Sequence, residues 1–372
     1  MVKICHMLDN LNVGGLEKIA IDIILSLKGY EHQMWCLKGK GAMADLLEAK
    51  GIIVREFNFE GGLSISSMSK LVRELKKEHF SIIHSHGLFP SVWARIAAVF
   101  ARVPIRIVHC HSTYYGLYMR ERVRLRILSY FTTVLIAVSE AVKKSLVEYI
   151  GIPRRSIKVI YNGIGDISRD IVLTREKVRA QLGLSSDSFV IGCLGRLVEM
   201  KGHRYLLDAV ARVRRRHSGC KCLIIGGGPG QNDLFAQIAK LGLEDSVFLL
   251  GIRRDIPDLL SAVDIVVSPS ILKEGLPLVL VEGTAMGLPL VATDIGGSPE
   301  VVQDGLNGFI VEPGDAGALA DKIDYLMEHP AVLRAMGQRS RENWRTKFRK
   351  EEMIGKIERI YRDALSGVKP AL

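Results

Sequence analysis

Short runs of apolar and β-branched residues recur along the chain, and between them lie longer segments whose apolar residues return every three or four positions. Alternation of this kind predicts parallel strands joined by crossover helices, that is, an α/β protein. In the first half the predicted strands are Val2 to Leu8, Gln33 to Leu37, Ser81 to His84, Ile105 to His109 and Val134 to Val138. The pattern restarts with Phe189 to Leu194, Lys221 to Ile225, Val247 to Leu250, Asp264 to Val267 and Leu290 to Ala292. Between the halves, Asn162-Gly-Ile-Gly165 is a turn signal, followed by a polar, charge-mixed stretch to about Ser188.

The expected organisation is two doubly wound, Rossmann-like domains in series: residues 1–165, a linker over 166–187, and residues 188–350. Met353, Ile354, Ile357, Ile360 and Leu365 predict a final helix within 351–372 that packs back on the first domain. Ligands of such sheets bind at the carboxyl ends of the strands, so two facing domains would place the site in the cleft between them.

Composition adjusts this picture in three ways. The 372 residues are 48% hydrophobic, enough for two sizeable cores. The net charge of +11 is partly concentrated over residues 118–158, with nine Arg or Lys against three Glu, which suits an acidic surface as neighbour. Six cysteines at 5, 36, 110, 193, 220 and 222 show neither zinc-type pairing nor disulfide density, so a reduced, cytoplasmic protein is expected. The N-terminus reads as a first strand, its apolar stretch being too short for a signal peptide. The uncharged run Ile127 to Ser139 has 13 residues, short of the roughly 20 that span a bilayer.

Candidate chemistry gathers at strand ends. Glu274 and Glu282 stand eight positions apart, with an X-Pro turn signal between them and an apolar run leading to the second. On a loop that becomes a helix near Pro277, Glu274 would lie beside free backbone N–H groups and Glu282 about a turn and a half deeper. Gly195-Arg196 through Lys201-Gly202 follows a strand and sets two cations five residues apart, suited to a diphosphate leaving group or, equally, to solvated surface charge. Gly14-Gly15-Leu16-Glu17 opens a helix after the first strand, either as a phosphate-approaching turn or as a tight βα junction. Gly226 to Gly230 lacks the spacing of a dinucleotide fingerprint, which makes a nicotinamide dehydrogenase a distant option, and reads as a close-packed turn near a nucleotide. His84-Ser-His86 and His109-Cys-His111 end strands and could pair on a metal, but no Asp or Cys cluster completes such a site. No metal is therefore expected; His111 is read as a ligand contact and His84 as a core or supporting group. Asp294 and Glu300 are explained as well by helix capping as by function.

Taken in order, these pieces resemble the retaining glycosyltransferases of the GT-B fold, in particular glycosyltransferase family 4. That family carries an early GGxE loop, a His after an N-domain strand, GRLxxxKG opening the second domain, and E-x7-E followed by GxPVxxxxxGGxxE. Here they read Gly14 to Glu17, His111, Gly195 to Gly202, Glu274 to Glu282, and Gly287-Leu-Pro289 through Gly296-Gly297 to Glu300. The resemblance implies a nucleotide-sugar donor held mainly by the second domain, a UDP-sugar in preference to a GDP-sugar. Arg196 and Lys201 would neutralise the diphosphate, with Gly195 in the same loop and no metal or other cofactor required. Glu282 would take the ribose hydroxyls and Glu274 the transferred sugar, with N–H groups of Gly275, Leu276, Pro277 and Leu278 on sugar or phosphate. Gly14 and Gly15 would approach the donor phosphate, and His111 the sugar near the reaction centre. Leu272, Lys273 and Gly283 depart from the family's usual residues.

The implied acceptor is a glycan, a lipid-linked oligosaccharide or a glycolipid, in polysaccharide or cell-envelope glycan biosynthesis. Tyr114 to Leu128 mixes aromatics, apolar residues and Arg as interfacial helices do, consistent either with an anionic inner leaflet of the cytoplasmic membrane as a partner or with a solvated basic helix. Two other functions share the architecture: a nucleotide-sugar epimerase and a non-catalytic nucleotide-sugar-binding protein. The joint presence of Arg196, Lys201, Glu274 and Glu282 argues against both. Nucleic acid is not an expected partner, because no recognition motif accompanies the positive charge.

Overall fold

The computed structural model describes residues 1–59 and 64–367. Thirteen strands are present among them: β1 (Lys3–Leu8), β2 (Glu31–Cys36), β3 (Ile53–Glu56), β4 (Ile82–His86), β5 (Ile105–Cys110), β6 (Val134–Ala137), β7 (Ile157–Val159), β8 (Phe189–Leu194), β9 (Cys220–Ile225), β10 (Val247–Leu249), β11 (Ile265–Ser268), β12 (Leu290–Thr293) and β13 (Gly308–Val311). They form two parallel sheets, ordered β3-β2-β1-β4-β5-β6-β7 and β10-β9-β8-β11-β12-β13. Both contain the 3-2-1-4-5-6 order of the doubly wound fold, in which chain direction across the sheet reverses beside the first strand. The reversal falls between β1 and β4 in one sheet and between β8 and β11 in the other.

The chain divides into two compact units, Met1–Asn162 with the C-terminal residues from Glu351, and Gly163–Lys350. In the first, alternate side chains point to opposite faces of the sheet. Cys5, Met7, Trp35 and Ile83 build one core with Leu75 and Trp93 from helices Ile65–Glu78 and Leu88–Ala101. Leu8, Met34 and Cys36 build the opposite core with Ala20, Ile21 and Ile24 of helix Gly15–Ser26. Helix Lys350–Leu365 buries Met353, Ile357, Ile360 and Tyr361, and Tyr361 donates or accepts a 2.6 Å bond with His84 Nδ1 on β4. Of the 351–372 segment, residues 368–372 lie outside the described residues.

In the second unit, Ile191, Ile224, Val267 and Val291 of the sheet meet Leu206, Val210, Leu319 and Ile323 of its helices. Residues 166–187, polar enough to read as a linker, are built into this unit. Arg175 and Arg179 both pair with Asp264, at 2.5 and 2.9 Å, and Asp258 accepts from the backbone N–H groups of Val172 and Leu173. The charges that suggested a solvated connection are thus spent on partners next to β11. Among the described residues no helix is long and apolar enough to cross a membrane.

Candidate functional site

The second unit's candidate residues converge on the reversal between β8 and β11. After β8 the chain turns at Gly195, whose φ of +152° favours glycine. Gly195 N–H then donates to Ile225 O at 2.9 Å and Leu197 N–H to Gly227 O at 3.0 Å. A side chain at Gly226 or Gly228 would overlap the Gly195 or Leu197 carbonyl, so the glycine run lets two backbones stack. Arg196 projects from this stacked turn, exposed.

Lys201 ends the short turn Glu199–Lys201, which stops at Gly202 with φ +66°. A Cβ there would strike the Pro269 carbonyl, and Ile271 N–H donates to Met200 O at 2.8 Å, so this turn is clamped to the loop after β11. The clamp brings Lys201 Nζ to 2.5 Å from Glu274 Oε1, the same oxygen that accepts from Ser270 Oγ at 2.6 Å. Ser270 is fixed in turn, its carbonyl accepting from Thr293 Oγ1 at 2.5 Å. Glu274 is 8% exposed, and a carboxylate so buried requires such partners. Lys201 and Glu274, assigned separate tasks from the sequence, are therefore one ion pair.

Lys273, just before Glu274, lies in the left-handed region at φ +56°. Gly296, also left-handed at φ +56°, sits against the Glu274 carbonyl where a Cβ would overlap it, and Gly297 N–H donates to Gly275 O at 2.9 Å. The Gly296-Gly297 pair is thus a brace for the Glu274 loop. Helix Leu278–Met286 begins after Pro277 with no side-chain cap. Proline has no N–H, so Gly275, Leu276 and Leu278 remain as backbone donors of the four-residue set and Pro277 is withdrawn from it. Glu282 is buried four residues into this helix, about 6 Å along it from Leu278. Gly283 accounts for one departure: a Cβ would come within 2.7 Å of Leu290 Cδ2, because the helix lies close on β11 and β12. Asp294 does not cap the following helix, whose N-cap is Gly297 without a side-chain bond.

In the first unit, Gly14 is the N-cap of helix Gly15–Ser26 and is extended at φ −169°, a backbone conformation open to any residue. The Glu17 carboxylate folds back over the helix start beside Gly14, where a Cβ would only have to turn this flexible side chain aside. His111 follows β5 and lies beside imidazoles the sequence reading did not connect with it. His86 Nδ1 is 3.3 Å from His111 Nε2, His6 Nδ1 is 3.4 Å from His86 Nε2, and His6 Nε2 is 3.1 Å from His32 Nδ1. His32 Nε2 is 2.8 Å from the Leu27 carbonyl oxygen. Burial holds His6, His84, His86 and His109 well below the usual imidazole range, lowers His32, and pushes His111 down to about 3. Two triads, His6/His84/His86 and His86/His109/His111, bring ring nitrogens within 4.8 Å of one another, so imidazole alone could ligate a metal here without the Asp or Cys sought in the sequence. The signal for His6 and His32 exists only once strand order is known.

Comparison with known proteins gives the class and then the family. The solved structure of Anabaena Alr3699/HepE in complex with UDP superposes with a TM-score of 0.85 at 27% identity, covering 98% of this chain and all of that one. A glycosyltransferase from Rickettsia africae ESF-5 has the same fold, with a TM-score of 0.85 at 24% identity over 98% of each chain. The architecture is GT-B. Residues 13–166 match the model described as Glycosyltransferase Family 4, and residues 174–343 that of Glycosyl transferases group 1. The chain belongs to glycosyltransferase family 4 and is a glycosyltransferase. Among its relatives is the Escherichia coli UDP-Gal:alpha-D-GlcNAc-diphosphoundecaprenol alpha-1,3-galactosyltransferase, 27% identical over 97% of both chains. Another is the Bacillus anthracis N-acetyl-alpha-D-glucosaminyl L-malate synthase, 28% identical over 80% of this chain and 78% of that protein.

Proposed function

We propose that this protein is a retaining glycosyltransferase that moves a sugar from a UDP-sugar to a glycan, lipid-linked oligosaccharide or glycolipid in cell-envelope or polysaccharide biosynthesis. The observation that carries the proposal is the Lys201–Glu274 pair at the β8/β11 reversal, beside an uncapped helix start. An ammonium has three N–H donors; with one on Glu274, two remain for phosphate oxygens. Exposed Arg196, on the neighbouring turn, adds a planar cation that can grip the same diphosphate. Together they offset the charge that gathers as the sugar–phosphate bond breaks, without a metal. Glu282 accepts from the ribose hydroxyls, while Glu274 orients the sugar. Gly15 approaches the donor phosphate and His111 contacts the sugar. Retention follows if the acceptor hydroxyl attacks from the face the phosphate leaves, the departing phosphate taking its proton. The UDP preference draws on the UDP named for Alr3699/HepE and the UDP-Gal named for the E. coli relative.

The membrane part of the reading rests on helix Met119–Ser129, where Met119, Val123 and Ile127 are exposed with Tyr118, Tyr130 and Phe131 at its ends. Arg120, Arg124 and Arg126 are exposed as well, Arg126 Nη1 donating to Gly151 O, whereas Arg122 is half-buried and its Nε donates to Tyr149 O. Such a surface suits peripheral binding to an anionic leaflet on the cytoplasmic side. Equal co-sedimentation with anionic and neutral vesicles at low salt would remove it. For the reaction, the test is a panel of UDP-, GDP- and ADP-sugars scored for slow hydrolysis and thermal stabilisation in EDTA. A UDP-sugar is expected to respond most; no response from any of them would end the proposal, and conversion of the sugar without transfer would favour an epimerase.

A further inference from the structure

The four neighbouring strands β2, β1, β4 and β5 carry His32, His6, His84 with His86, and, from β5 onward, His109 and His111. Register pairs His6 with His84 and His86 with His109, while His32 pairs with Ile4, two residues before His6. Partners in a parallel ladder share a face, so all six rings stand on the same side of the sheet. Four of them join nitrogen to nitrogen in a line that ends on a backbone carbonyl.

That carbonyl fixes the direction of every bond in the line. Leu27 O can only accept, so the proton lies on His32 Nε2. A neutral imidazole has one N–H; His32 Nδ1 must therefore accept, from His6 Nε2–H. The same step repeats from His86 Nε2–H to His6 Nδ1 and from His111 Nε2–H to His86 Nδ1. His111 is left with a bare lone pair on Nδ1, an atom that is buried and has no partner. We propose that His32, His6 and His86 form a tautomer relay, anchored on Leu27 O, that holds His111 as an acceptor at Nδ1 and so selects a ligand hydroxyl that donates there. The three are positioning residues, and the ligand half of the inference rests on the reading of His111 as a sugar contact. His84, bonded to Tyr361, and His109 stand beside the line and outside it.

The test is nitrogen-detected NMR of the full chain labelled at histidine, without substrate, at neutral pH. All four relay histidines are expected as Nε2–H tautomers. His32→Gln keeps the direction, since its amide can donate to Leu27 O and accept from His6, whereas His32→Leu removes the anchor. His111 should keep its tautomer in His32→Gln and in the off-line control Tyr361→Phe, and become a mixture in His32→Leu, with kcat/KM down about tenfold, as for one lost hydrogen bond. An Nδ1–H tautomer at any of the four in the native protein overturns the relay, as does an unmoved His111 in His32→Leu. Tight retention of one equivalent of Zn²⁺ by the metal-free protein also overturns it, because a metal held by the His86/His109/His111 triad claims the nitrogens the line uses. Correct tautomers with full activity in His111→Ala would instead leave the relay standing and remove the sugar-contact role.

Discussion

The two sheets share one strand order but place opposite chemistry at their reversals. Beside β1 and β4, the first unit buries neutral imidazoles joined to one another and to a carbonyl. Beside β8 and β11, the second holds a fixed cation against a buried carboxylate and leaves another cation in solvent. Direction is what a line of neutral rings can supply, through which nitrogen accepts. Field is what the charged pair supplies, and a diphosphate needs field. One topology thus serves two tasks because loop residues, not the sheet, carry the chemistry.

The largest expected break in this contrast comes from the second unit. Lys201→Ala should lower kcat by about 10²–10³, by analogy with removal of an oxyanion donor, and Arg196→Ala should also act mainly on kcat. Steady-state kinetics with a responsive UDP-sugar reads this; unchanged kcat in both variants would place the diphosphate elsewhere.

Next in size is pH. Well above about pH 6.5 the buried His6, His32, His84, His86, His109 and His111 are neutral folded and unfolded, and contribute no pH dependence. Below it the unfolded chain takes up protons that the folded rings, His111 held at about 3, refuse. Stability therefore falls as pH drops below about 6.5, His111 contributing on the order of 1 kcal/mol per pH unit down to about 4 and the other lowered histidines acting in the same direction. Denaturant midpoints across that range check the sign, and midpoints that rise on acidification would contradict it.

Gly202→Ala separates the clamp from the charge. Its Cβ would meet the Pro269 carbonyl at φ +66°, so a loss of about 2 kcal/mol in unfolding free energy is expected with the ion-pairing residues intact. Donor affinity should fall with it, since the clamp is what brings Lys201 to Glu274. Unaltered stability would mean the turn relaxes freely.

Much of this contrast was legible before folding, and the residues explain which parts were not. The central strands were found within a residue or two: those of the second unit are near-continuous apolar runs, as burial on both faces predicts, and those of the first keep enough apolar residues around their buried histidines to read as strands. β3, β7 and β13 were missed: each is an edge strand, short, with Arg55, Lys158 or a leading Gly308 interrupting the apolar signal. Arg196, Lys201, Glu274 and Glu282 stand in local motifs and could be picked out singly. That Lys201 and Glu274 touch depends on Gly202 against Pro269, a contact between loops that spacing does not reveal. The imidazole line is less legible still, because His6, His32, His86 and His111 become neighbours only through the 2-1-4-5 strand order.

The central claim, that the β8/β11 reversal holds the nucleotide diphosphate, is tested most directly by calorimetric titration of UDP in EDTA. Wild-type protein should bind, Lys201→Ala and Glu282→Ala should each weaken binding by about tenfold or more, the equivalent of a hydrogen bond to a charged group, and His111→Ala should bind as wild type. Wild-type affinity in both second-unit variants, or its loss in His111→Ala alone, would contradict the account.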